Sequence, residues 1–131
     1  MNDRIVISDG RSSVTLNPPE ADPDGHGFDM KVDLVGGPFT GSILATTYLS
    51  LQAWDRFRSD LRRLHKSLKG EVSTDTWFSN FSLVLKGDGR GHVRVTAHAQ
   101  DEWADASTLS FSFTIDQTHL LPIMVILDRW A

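Results

Sequence analysis

Phe28, Met30, Val32 and Leu34 alternate with Asp29, Lys31 and Asp33. A period of two with opposite polarity predicts a strand with one buried and one wet face. Three later stretches repeat the pattern: Phe81, Leu83 and Leu85; then Val93, Val95, Ala97 and Ala99; then Leu109, Phe111, Phe113 and Ile115. Polar residues such as Ser82, Lys86, Arg94, Thr96, Ser110 and Ser112 fall between them. Ile5 to Ile7, and Val14 with Leu16, predict two short strands around the turn "SDGRSS". "GGPF" at 36–39 predicts another turn, with "TGSILATTYL" as the partner strand, and "NPPEADPDGHG" at 17–27 a long surface loop.

Between these strands the period changes. Leu51, Trp54, Phe57, Leu61, Leu64 and Leu68 recur every three or four residues, while Arg56, Arg58, Arg62, Arg63, Lys66 and Lys69 mostly point elsewhere. This predicts an amphipathic helix with Ser50 as N-cap and Gly70 just past its end. A second helix is predicted from near Thr118 to Trp130, with Pro122 accommodated in its first turn. Together the elements predict an α+β fold, with a curved antiparallel sheet of about six or seven strands and two helices, the longer packed on one sheet face. The whole chain, 1–131, reads as one domain.

"KGDGRG" at 86–91 raises the question of a phosphate-binding loop. Such a loop needs a helix directly after it, so that amides and dipole face the anion. Here "HVRVTAHA" follows with strand alternation, so a hairpin turn is predicted, its glycines supplying positive φ.

Charge and composition narrow the functional classes. The net charge of −4 argues against a duplex nucleic-acid binder, which carries a basic excess. With no cysteine there is neither a disulfide framework nor a thiolate metal site, and a reducing, cytoplasmic setting is expected. The longest apolar run, "LLPIMVIL", is too short to span a membrane. Asp22, Asp24, Gly27 and Asp33 match four places of an EF-hand loop, but His26 and Asp29 break the pattern and a strand follows where a helix is required. The histidines show no paired metal-ligand spacing, and no nucleophile elbow is present. A non-enzymatic protein without cofactor or metal is expected.

"AQDEWADAS" at 99–107 carries more. Trp103 stands among Asp101, Glu102 and Asp105 in an inter-strand loop. An aromatic anchor ringed by acids is the composition of a contact centre for a basic protein surface. Asp29 and Asp33 are the candidate rim of that surface; the competing reading folds Trp103 back onto its own sheet.

The order of these elements resembles the WapI-type immunity proteins and related bacterial domains. The resemblance rests on the helix bearing Trp54, Phe57 and Leu61 that runs to Leu68, Gly70 and Glu71, on the glycine hairpin, and on the strand entering Asp116 and Gln117 before a last helix. It covers roughly residues 28 to 130 and implies a small bacterial cytoplasmic protein that neutralises a cognate toxin by binding it. No catalytic or metal residue carries over. The alternative is a small-molecule binding module, with an apolar pocket between sheet and first helix lined by Trp54, Phe111 and Phe113.

Overall fold

The computed structural model describes residues 3–24, 26–101 and 107–130. Its strands form two antiparallel sheets. The first contains β1 (Ile5–Ser8), β2 (Ser13–Leu16), β3 (Glu20–Ala21), β4 (Phe28–Gly36) and β5 (Phe39–Thr47). A helix, α1 (Ala53–Ser67), leads to the second sheet, of β6 (Lys69–Ser73), β7 (Phe81–Asp88), β8 (His92–Gln100) and β9 (Thr108–Asp116). A short 3₁₀ turn at Gln117–His119 opens α2 (Leu120–Trp130).

The α+β expectation stands, but the strands divide between two sheets, and two of them were not legible. β3 pairs Glu20 with Asp29 and Ala21 with Phe28 on the same edge of β4 that β2 occupies. Between the two, Asn17 to Pro19 oppose only Met30 and Lys31, so an extra residue bulges where two prolines cannot donate to the ladder. β6 begins two residues after α1 and carries the charged Lys69 and Glu71, which hid it from a hydrophobic pattern.

Each predicted alternation puts its apolar members inside. Ile5, Ile7, Val14, Leu16, Phe28, Met30, Val32 and Leu34 from the first sheet share one core with Phe81, Leu83, Leu85, Val93, Val95, Ala97, Phe113 and Ile115 from the second. Trp54, Phe57, Leu61 and Leu64 of α1 and Leu120, Ile123 and Leu127 of α2 enter the same core. α1 runs beside β6 and α2. Trp54 is the hub of an aromatic cluster, with ring centroids 5.2 Å from Phe57, 5.0 Å from Trp77, 5.1 Å from Trp130 and 6.1 Å from Phe28. On the wet side of α1, Arg62 reaches Asp128 of α2 at 2.8 Å.

The helix ends differ from expectation. Gln52, not Ser50, occupies the N-cap position, with no side-chain cap bond. At the other end Leu68 itself takes the left-handed conformation, at φ 64, so the helix stops there and Gly70 falls inside β6. α2 starts at Leu120, two residues later than expected: Asp116 accepts a hydrogen bond from the Thr118 amide at 3.0 Å and caps the 3₁₀ turn that precedes it, while Pro122 sits in the first turn of α2 as expected.

Candidate functional site

"KGDGRG" is a turn. Asp88 Oδ1 accepts hydrogen bonds from the amides of Arg90 at 2.6 Å and His92 at 3.1 Å. A carboxylate thus occupies the donors that a phosphate would need. Gly89 and Gly91 have φ of 80 and 98, as a tight reversal requires. Gly87 serves differently: it lies in β7 against the end of α1, where an added Cβ would stand 2.4 Å from the Leu68 carbonyl oxygen.

The groups whose pKa is displaced mark turns rather than chemistry. Asp9, Asp88 and Asp116 all lie below the ordinary carboxylate value, and in each the leading cause is a backbone N–H donating to the carboxylate, from Ser12, Arg90 and Thr118 respectively. Among the described residues no three His, Asp or Glu side chains converge on a metal position. His98 Nδ1 and Ser110 Oγ are hydrogen-bonded on the exposed face of β8 and β9, outside both cavities described next.

The more apolar of these cavities lies between β5 and β9 and encloses about 600 Å³. Among the described residues β5 pairs with β4 alone and β9 with β8 alone, so each sheet presents a free edge to the gap. Along an antiparallel strand, successive residues alternate in which neighbour their N–H and C=O face. The Leu44 carbonyl is taken by Asn80 Nδ2 at 2.9 Å rather than by β4. Thr40, Ser42, Leu44 and Thr46 therefore turn their main-chain groups away from β4. The Asp101 amide donates to the Ser107 carbonyl across the other sheet, which leaves Thr108, Ser110, Ser112 and Thr114 turned away from β8.

At one end Phe111 packs over Gly36, where an added Cβ would lie 2.9 Å from its ring, and Leu109 lies over Gly41. Near Leu44, Asn80 bridges the two walls, and Gln100, Asp101 and Ser107 belong to the lining as well. Phe39 and Leu44 are exposed at the rim, at 67% and 55%. Asp101 is the single charged residue among the described residues of the lining.

Of the candidate contact residues, Asp101 is exposed at the mouth of this groove. Glu102, Trp103 and Asp105 lie outside the described residues. Asp33, on the wet face of β4, accepts from Ser42 Oγ at 2.8 Å and from Asn17 Nδ2 at 3.3 Å. Ser42 also lines the groove, so Asp33 stands one side chain behind its wall. Asp29 aligns with Thr46 on the same face, away from the lining. The sequence reading missed the groove itself and the role of Asn80. The available signal was the lack of any Lys, Arg, Asp, Glu or Pro in "FTGSILATT".

A second cavity, of about 470 Å³, is lined by Arg56, Asp60, Glu71, Asp75, Thr76 and Trp77, among others. Asp60 is already paired there with Arg56 at 3.9 Å and Arg63 at 3.6 Å. Trp54, Phe111 and Phe113 line neither cavity. Trp54 instead packs in the aromatic cluster, while Phe111 stacks on Phe113 with ring centroids 6.1 Å apart.

Comparison with known proteins places this geometry in a family context. The profile of the immunity protein WapI-like family matches residues 4–130. No curated protein sequence matches the chain. Among solved structures, WHY3 from Arabidopsis thaliana is similar at 12% identity with a TM-score of 0.43, over 96% of this chain and 84% of that one.

Proposed function

The chain belongs to the WapI-like immunity protein family, and from that premise we propose that it neutralises a cognate protein toxin by binding it directly. An immunity role follows from the family; the contact surface is our own reading. The groove between β5 and β9, together with the acidic segment that begins at Asp101, is that surface.

The observation that carries this reading is the groove's lining. Exposed Phe39 and Leu44 offer apolar area at the rim, and Asp101 adds negative charge. Trp103, Glu102 and Asp105 follow Asp101 in sequence and supply an aromatic anchor and further acids to the same contact. Asp29 and Asp33 extend the acidic surface as its rim. A chain of net charge −4 gains association rate with a basic partner.

The test uses the toxin domain whose lethality this chain relieves on co-expression. Titration of the purified toxin should give a stoichiometric complex in which toxin activity falls in step with occupancy. Trp103→Ala should weaken the complex by about 2 kcal/mol or more, mainly through faster dissociation. Asp101→Lys with Glu102→Lys should slow association and flatten its salt dependence. A toxin that stays fully active at saturating immunity protein would refute neutralisation by binding.

A further inference from the structure

Edges of β-sheets are ordinarily guarded by charges, proline, bulges or a covering element, because their unpaired main chain recruits other strands. The free edges of this protein differ in that respect. β6 carries Lys69 and Glu71 and runs beside α1, and β1 packs with α2. β5 has no charge, proline or bulge over nine residues, and across the gap β9 has no charge before Asp116.

Three further observations converge on β5. The outward amides of Thr40, Ser42 and Leu44 have no partner among the described residues. Apolar Ile43 and Leu109 line the gap beside them. Asn80, only 6% exposed, takes the outward carbonyl of Leu44 through Nδ2, so the side chain holds this end of the edge in place. The outward main-chain groups of Thr40 and Ser42 beside it are the complement of another main chain.

We propose that the groove receives an extended segment of the toxin, which adds as a strand to the outward edge of β5. This rests on the neutralisation reading above and deepens it. Thr40 to Leu44 spans about 13 Å of edge, enough for a short strand bonded at alternate residues. Apolar side chains at every second position of that strand meet Ile43 and Leu109.

The test is amide hydrogen exchange on the full chain, alone and with the toxin domain defined above. The amides of Thr40, Ser42 and Leu44 should exchange readily in the free protein and slow by about 100-fold or more in the complex. Ser42→Pro removes one outward N–H without touching the β4 ladder and should weaken binding about tenfold or more, whereas Ser42→Ala, which loses only the hydroxyl, should stay within about threefold. A tight complex in which these amides still exchange at the free rate overturns strand addition and leaves neutralisation by binding intact. Failure to form any complex overturns both. Protection that grows with protein concentration in the absence of toxin would mean that a second copy fills the edge, and would also overturn the proposal.

Discussion

Asn80 Nδ2 donates to the main-chain carbonyl of Leu44 at 2.9 Å, and this bond ties the entry of β7 to the outward edge of β5. It is a link between the two sheets where strand pairing among the described residues supplies none. Asn80→Ala should therefore cost about 1–2 kcal/mol in urea unfolding, the range for losing a buried hydrogen bond. It should also quicken exchange at the Ala45 amide, which follows the freed carbonyl and pairs into β4, more than at Val32.

Phe57 joins Trp54 and Trp77 in the aromatic cluster and is 2% exposed. Phe57→Ala removes that packing and leaves a cavity, so a loss of about 3–5 kcal/mol is expected in denaturant unfolding. A loss under about 1 kcal/mol would place the helix stripe in solvent and contradict the core described above.

Gly87 lies so close to α1 that a Cβ would meet both the Leu68 oxygen and, at 2.7 Å, Leu64 Cδ1. The same Leu68 carbonyl accepts from the Gly89 amide at 2.8 Å. Gly87→Ala must therefore push the hairpin off the helix end, and should destabilise the fold by about 1–3 kcal/mol. A thermal midpoint unchanged in that variant would show the contact to be looser.

How much of this was legible in sequence follows from what each signal encodes. Alternation in "FDMKVDL" states which side chains are buried, and Phe28, Met30, Val32 and Leu34 are. It does not state which sheet a strand joins, because the same alternation serves either, so one curved sheet was expected where two exist. β3 and β6 escaped because they are short and polar. The end of α1 escaped because Leu68 takes a left-handed conformation usually left to glycine, while Gly70 invited the wrong boundary. The acids of the candidate site could be read directly, but the groove could not, since it arises where residues far apart in sequence, such as Leu44 and Asp101, line one gap.

Asp88 gives the pH prediction. The Arg90 amide, then that of His92, hold its carboxylate below the ordinary value of 3.8. A group with a depressed folded pKa adds stability that is fully present above the unfolded value and is lost as pH falls through the folded one. Urea midpoints should thus drop as the solution is acidified below pH 3.8, and Asp88→Asn should flatten that part of the profile. Profiles that superimpose over this range would mean that the turn gains nothing from the charge.

Two exposed apolar residues on different elements test the central claim most directly. Leu44 stands at the groove rim, and Val125 is exposed on α2, at 47%. The measurement is the Kd of the toxin complex for Leu44→Glu and for Val125→Glu, each confirmed folded by its thermal midpoint. Binding through the groove predicts a rise of about 100-fold for Leu44→Glu, or ~2.7 kcal/mol, and a change within about threefold for Val125→Glu. An unchanged Kd for Leu44→Glu, or a larger loss for Val125→Glu, would contradict it.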